Sequence, residues 1–179
     1  MRMWFTWANG LTALRLAGIA PGAWAVYAGH WLLAAGIFVM AVLTDLADGP
    51  VARRFNHASP AGGLFDHATD ALFVAVTLAA LAATGHVNAI LPGLVAVAFV
   101  QYVLDSRALA GAVLRTSLIG RYNGIAYYVL AGIPIIREAA GLDWPPDPWV
   151  AAFGWLLVIT TVASMADRAL ALLRRPPSR

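Results

Sequence analysis

The stretch Asp45-Leu46-Ala47-Asp48-Gly49-Pro50-Val51-Ala52-Arg53-Arg54-Phe55-Asn56-His57-Ala58-Ser59-Pro60-Ala61-Gly62-Gly63-Leu64-Phe65-Asp66-His67-Ala68-Thr69-Asp70 sets four carboxylates into sequence that is apolar on both sides. Asp45 and Asp48 stand three apart and Asp66 and Asp70 four apart, so on helices each pair occupies one face. If the two segments fold back on each other about residues 53–61, Asp48 and Asp66 fall at one level and Asp45 and Asp70 at a deeper one. At 1.5 Å of rise per residue these levels lie about 7 and about 13 Å from the turn. The expectation is a cavity that opens at the turn end and is lined by all four carboxylates.

Outward from that hairpin the chain keeps its apolar character. Of 179 residues, 61% are hydrophobic and 12% charged, with a mean hydropathy of +0.73; a soluble domain is about a quarter charged. A crossing helix needs about 20 apolar residues. Six such runs are read near Asn9–Ala28, Trp31–Phe55, Gly62–Ala83, Val87–Leu109, Leu118–Ala139 and Trp149–Leu173. Turn residues separate them: Gly29-His30, residues 56–60, Gly85-His86, Thr116-Ser117 and residues 141–148, where Asp147 is an expected helix cap ahead of Pro148. Met1–Ala8, with Trp4, Phe5 and Trp7 beside Arg2, reads as a short interfacial segment rather than a cleavable signal, because Arg15 interrupts the apolar run behind it. The expected fold is therefore an all-α, polytopic membrane protein with six transmembrane helices, forming a single domain over residues 1–179.

Charge orients the bundle. With a cytoplasmic N-terminus, nine arginines fall on inner segments (Arg2, Arg53, Arg54, Arg107, Arg115, Arg121, Arg174, Arg175 and Arg179) and only Arg137 on an outer loop. This asymmetry predicts cytoplasmic termini, and the expected location is the cell (inner) membrane. The formal net charge of only +3, despite a pI near 9.8, is explained by juxtamembrane arginines and calls for no nucleic-acid partner. The absence of cysteine excludes thiol catalysis and Cys-ligated metal centres.

Intramembrane carboxylates indicate where the chemistry lies. Each costs about 2.5 to 3.5 kcal/mol to insert, so four cost about 10 to 14 kcal/mol unless cations or water offset them. Four close carboxylates do not all stay ionised without counter-charge. Arg15 and Arg53 supply some, and two divalent ions in all-oxygen ligation, Mg²⁺ or Mn²⁺, would balance the set. Two such ions a few ångströms apart are suited to clamping a phosphoryl group in displacement, which predicts phosphoryl transfer at a membrane surface.

The spacing of Asp45, Asp48, Gly49, Ala52, Arg53, Gly62, Asp66 and Asp70 resembles the CDP-alcohol phosphotransferase signature at every fixed position. The first-span stretch Asn9-Gly10-Leu11-Thr12-Ala13-Leu14-Arg15 is similar to the same family. The resemblance implies transfer of a substituted phosphate from a CDP-linked lipid, CDP-diacylglycerol, to a small polar alcohol with release of CMP. It further implies Asp45, Asp48, Asp66 and Asp70 as ligands of two divalent cations, Asp70 also as the base on the acceptor hydroxyl, and a homodimer. Asn9, Thr12, Gly49, Ala52, Arg53, Ser59 and Gly62 would then hold the CDP-lipid.

For the acceptor, Arg107, Arg115 and Arg121 cluster at the inner ends of spans four and five, where they could grip an anionic alcohol. Gly120-Arg121-Tyr122-Asn123 looks like a weakened Gly-Lys-x-Lys-Thr stretch of phosphatidylglycerophosphate synthases, with Asn123 at the second basic position and Gly124 at the threonine. Glycerol 3-phosphate is the leading acceptor, with inositol phosphate, serine and phosphatidylglycerol as alternatives. Two other classes share the apolar helices: a proton- or ion-coupled transporter, which would spread its charges and show an internal repeat, and a membrane scaffold that has lost activity. Pro50 is expected to kink its helix, His57 and His67 to be solvated or packed rather than metal ligands, and Gly18, Gly22 and Gly36 to serve close helix packing.

Overall fold

The computed structural model describes residues 7–54, 60–105 and 118–173, with side chains at 10–47, 62–104 and 119–171. The described residues form six α-helices and no strand: α1 Trp7–Tyr27, α2 Trp31–Arg54, α3 Pro60–Ala83, α4 Ile90–Asp105, α5 Leu118–Ala140 and α6 Asp147–Leu173. Residues 1–6 of the expected interfacial segment, most of the turn containing His57, and the Thr116-Ser117 break lie outside the described residues.

The ends of the helices follow local chemistry. Gly29, Gly85 and Gly141 take positive φ of 72°, 84° and 63° at the C-termini of α1, α3 and α5. In each turn the glycine N–H donates three residues back and the next N–H five residues back, as in His30 to the Ala25 carbonyl at 2.8 Å; this is the Schellman arrangement, which glycine enters without a Cβ penalty. α4 starts at Ile90 rather than Val87, because Asn88 Oδ1 accepts the Leu91 N–H at 3.0 Å and caps the helix there. α6 begins at Asp147, whose carboxylate lies 2.6 Å from Arg137 Nη1 on α5. α2 continues through Pro50, and Pro60 opens α3, where its missing N–H costs nothing.

The expected pairing of the second and third helices is replaced by a wedge. α1 packs closely on both α2 and α3, which do not pack closely on each other; α5 touches both, and α6 joins α4 and α5. Small residues on α1 permit this: a Cβ at Gly18 would stand 3.1 Å from Met40 Cε, and one at Gly22 3.2 Å from Ile37 Cγ2. Gly36 has no such neighbour, so close packing does not account for it. On the far side, Gly132 of α5 lies against the Phe38 ring, 2.8 Å from where a Cβ would sit. Phe38 in turn meets Phe73 and Tyr128, with ring centroids 6.4 and 6.2 Å apart.

A buried apolar core that includes Leu78, Leu81, Leu91 and Leu130 is accompanied by an unusual set of buried polar groups and a largely apolar outer surface. Arg15, Thr12, Thr44, Thr69, Asn123, Thr161 and Ser164 are buried, while Leu32, Leu43, Leu72, Leu104, Val97 and Ile159 are exposed. Apolar surface turned outward with polar groups held inside is what a hydrocarbon surround selects. By length and apolarity alone, two helices clearly qualify to cross a membrane among the described residues, at Gly62–Ala83 and Asp147–Ala171; on α2 and α4 the stretches with described side chains, Trp31–Ala47 and Ile90–Leu104, are apolar but cover fewer residues. α1 and α5 fall short because Arg15, Arg121, Asn123, Arg137 and Glu138 interrupt them.

Gly132→Leu is expected to lower the melting temperature in detergent by several degrees, since overpacking against a confined ring costs about 1–3 kcal/mol. Gly93→Ala, where an added Cβ meets nothing within 4 Å, is the matched control and should leave the melting temperature within about a degree.

Candidate functional site

At the end of the bundle opposite the three glycine turns, α1 sends Arg15 between α2 and α3. Its side chain is fully buried, and one nitrogen, Nη1, faces three carboxylates: Asp66 Oδ1 at 3.1 Å, Asp45 Oδ1 at 3.6 Å, and Asp70 Oδ1 in direct contact. Thr12, one turn earlier, donates its hydroxyl to Asp66 Oδ1 at 3.5 Å. From α5, Tyr128 donates to Asp70 Oδ1 at 3.3 Å, its ring stacked on Phe73 at 6.1 Å and 13°. The carboxylates are partly exposed, with side-chain exposures of 37%, 26% and 24% for Asp45, Asp66 and Asp70. They are therefore held from behind by α1 and α5 and open in front.

In front lies a cavity of about 410 Å³, within the range that takes a small molecule. Asp45, Asp66 and Asp70 form one wall; α5 contributes Arg121, Asn123 and Tyr127, and α6 contributes Thr161, Ser164 and Arg168. Deeper in, Tyr127 and Thr161 share a 2.5 Å hydrogen bond, and Thr161 donates to the Leu157 carbonyl. Near the mouth, the Arg168 guanidinium carbon lies 4.6 Å above the Tyr102 ring, and Tyr102 also stacks with the half-exposed His67 at 6.4 Å. His67 Nδ1 stands 4.0 Å from Asp66 Oδ2, at the rim of the cluster.

The donor set fits a hard divalent cation. One oxygen each from Asp45, Asp66 and Asp70 lies within 4.8 Å of the others. Two oxygens on one Mg²⁺ sit up to about 4.2 Å apart, so only small side-chain adjustments are needed. All three ligands are carboxylate oxygens, with no sulfur or imidazole among them.

A family model for CDP-alcohol phosphatidyltransferases matches residues 5–166, nearly the whole chain. The protein belongs to the CDP-alcohol phosphatidyltransferase family. No match was found among curated proteins or solved structures compared with it. Membership makes the protein a membrane-associated transferase of lipid synthesis, which moves a phosphatidyl group from a CDP-alcohol donor to an acceptor. The family uses divalent cations, and the carboxylate cluster is where this chain could hold them.

Of the residues singled out by sequence, the structure gathers Asp45, Asp66, Asp70, Thr12 and Arg121 at this end of the bundle. Gly62 lies in the first turn of α3. Asp48, Gly49, Ala52 and Arg53 lie on α2 and Asn9 on α1, their side chains outside the described residues; Ser59, Arg107 and Arg115 lie wholly outside them. Sequence reasoning undervalues Arg15 as one charge among several and misses Tyr128 and Arg168. The signal for Arg168 is the cost of an arginine inside the last apolar helix; Tyr128 carries no signal without the fold.

Removing the positive charge at the centre of the cluster leaves like charges facing each other. Breaking a buried ion pair costs about 3–5 kcal/mol, so Arg15→Met is expected to lower the melting temperature in detergent by about ten degrees, at about 2–4 °C per kcal/mol for a chain of this size. Added Mn²⁺ should recover part of that loss, and recovery smaller than the stabilisation of the wild type by Mn²⁺ would argue against a shared set of oxygens.

Proposed function

We propose that the protein transfers the phosphatidyl group of CDP-diacylglycerol to a small phosphorylated alcohol, with glycerol 3-phosphate as the leading acceptor, in phospholipid biosynthesis. The observation that carries this reading is that one cavity joins the carboxylate cluster to two arginines, Arg121 and Arg168, from different helices. A guanidinium pair facing an acidic wall suits a substrate with a phosphate at one end and a hydroxyl at the other. It favours glycerol 3-phosphate or inositol phosphate over serine, and it gives an active-site chain more than a transporter or an inactive scaffold needs.

The roles assigned here are those that the family signature implies. Asp45, Asp48, Asp66 and Asp70 would hold two divalent ions, Mg²⁺ or Mn²⁺. When bound, such ions neutralise charge on the phosphoryl oxygens and on the departing phosphate. Asn9, Thr12, Gly49, Ala52, Arg53, Ser59 and Gly62 would hold the CDP-lipid, and Arg107, Arg115 and Arg121, joined by Arg168 from the cavity wall, would hold the acceptor phosphate. Asp70 accepts the proton of the acceptor hydroxyl as its oxygen attacks the phosphatidyl phosphorus. The new P–O bond forms, the bond to the CMP oxygen breaks, and CMP departs with the electron pair. Thr12, Arg15 and Tyr128 approach Asp66 or Asp70 from behind, which keeps both acids turned toward the cavity and lowers the reorganisation needed at the moment of reaction.

We read the six helices as six spans of one domain over residues 1–179, in the inner membrane, with cytoplasmic termini and a homodimeric assembly. The asymmetric arginines support this orientation, and Arg121 and Arg168 lie at the same end as the carboxylates. The active site then faces the cytoplasm, where soluble phosphorylated alcohols are available.

CMP release by purified protein in detergent, with CDP-diacylglycerol and Mn²⁺ or Mg²⁺, tests the reading across glycerol 3-phosphate, inositol phosphate, inositol, serine and phosphatidylglycerol. Release with glycerol 3-phosphate that is abolished by chelator is expected; no release with any acceptor from folded protein overturns it. Asp70→Asn should reduce turnover to background while the protein remains folded, and near-wild-type turnover would remove Asp70 as base. Arg121→Ala and Arg168→Ala should each raise the acceptor KM about tenfold and leave the CDP-diacylglycerol KM nearly unchanged, the signature of a lost ground-state contact.

A further inference from the structure

Arg15 and Arg137 are each held by carboxylates. Arg168, on the cavity wall, is held in another way: its guanidinium carbon lies 4.6 Å from the centroid of the Tyr102 ring on α4. A ring face attracts a guanidinium through its quadrupole. It leaves the N–H donors at the guanidinium edge free, whereas a carboxylate occupies them. A carboxylate in the ring's place would also cancel the charge that draws an anion into the cavity, and a neutral ring does not.

The ring is itself fixed. Tyr102 is only 7% exposed; His67 of α3 stacks on it at 6.4 Å and 23°, and Phe99, nearly one turn earlier on α4, stands at 6.3 Å. Next to it in sequence, Gln101 Nε2 donates to the Met165 carbonyl at 3.0 Å, which ties α4 to α6 nearly one turn before Arg168. Two contacts thus set α6 against α4 at the level of the guanidinium. An arginine has a long flexible stem, and holding it in place before a ligand arrives removes the ordering that would otherwise weaken binding.

We propose that Tyr102 is a positioning residue for the acceptor, whose ring carries the Arg168 guanidinium at the cavity wall with its N–H donors free for the acceptor's anionic group. Tyr102 acts through Arg168 rather than on the substrate. The inference rests on the reading above, in which Arg121 and Arg168 receive the acceptor phosphate.

The test measures kcat and both KM values in the CMP-release assay for the wild type, Tyr102→Leu, Tyr102→Phe, Arg168→Ala, and Tyr102→Leu combined with Arg168→Ala. Tyr102→Leu is expected to raise the glycerol 3-phosphate KM about fivefold, the size of an ordinary cation–π contact, and to leave kcat and the CDP-diacylglycerol KM within about twofold. Tyr102→Phe keeps the ring and should keep the acceptor KM near that of the wild type. In the Arg168→Ala background Tyr102→Leu should add no further rise, because the two residues act as a unit. Replacing Tyr102 by phenylalanines with increasing numbers of ring fluorines keeps the shape while draining the negative face, so the acceptor KM should climb along the series; if Tyr102→Leu does not fold, this series decides alone. An acceptor KM unchanged in Tyr102→Leu, an equal rise in the Arg168→Ala background, or indifference to fluorine overturns the inference and leaves the proposed reaction standing. So does a fall in kcat with both KM values raised, the mark of a structural role. An unchanged acceptor KM in Arg168→Ala removes Arg168 from the acceptor site and this inference with it, whereas absence of CMP release from the wild type with any acceptor overturns the proposed function itself.

Discussion

The structure depends on a single buried guanidinium that faces three carboxylates in an apolar bundle. Arg15 contacts Asp45 on α2 and both Asp66 and Asp70 on α3, and those two helices have little direct packing to hold them together. Much of the interaction between them is ionic and runs through α1. This explains why α1, with Arg15 and Pro21 in its length, tolerates residues that weaken it as an apolar helix: its task is to carry charge to the junction, and Gly18 and Gly22 let it approach closely enough to do so. Outside hydrocarbon such a pair would be screened and weak, whereas inside it the same geometry commits the helices to one arrangement.

A second consequence concerns how the acids are presented. Each is gripped from the rear and left partly open in front, so their orientation is fixed before any substrate arrives. The aromatic group of Phe38, Phe73 and Tyr128 transmits this rigidity from three helices, since moving the Tyr128 hydroxyl away from Asp70 means unstacking it from Phe73. The opposite wall is built differently. α5 and α6 offer hydroxyls, an amide and two guanidinium groups rather than acids, so the cavity has an acidic reacting side and a polar, cationic recognition side.

Much of this was legible in the sequence because the residues concerned are costly where they stand. Carboxylates at helical spacing in apolar sequence announce a site, and Asp45, Asp66 and Asp70 do meet in space. The glycine turns at Gly29, Gly85 and Gly141 were equally plain, since positive φ has a residue preference of its own. What did not show was tertiary: that α1 rather than the turn between α2 and α3 organises the acids, that Tyr128 reaches Asp70 across 58 positions, and that Arg168 shares a cavity with Arg121. Helix neighbours in an all-apolar bundle leave little trace in periodicity, because lipid-facing and core-facing sides are both apolar.

The three tight glycine turns all lie at the end remote from the site, so the fold is three helical hairpins, α1–α2, α3–α4 and α5–α6, each closed at that end. In the six-span reading, hairpins of this kind enter the bilayer as pairs. The first brings Asp45 together with its own counter-charge, Arg15, while the second holds Asp66 and Asp70 at the edge of the apolar phase with no arginine or lysine among its described residues. The completed site is thus also a point of assembly: the second hairpin lowers the cost of its acids by docking against the arginine of the first.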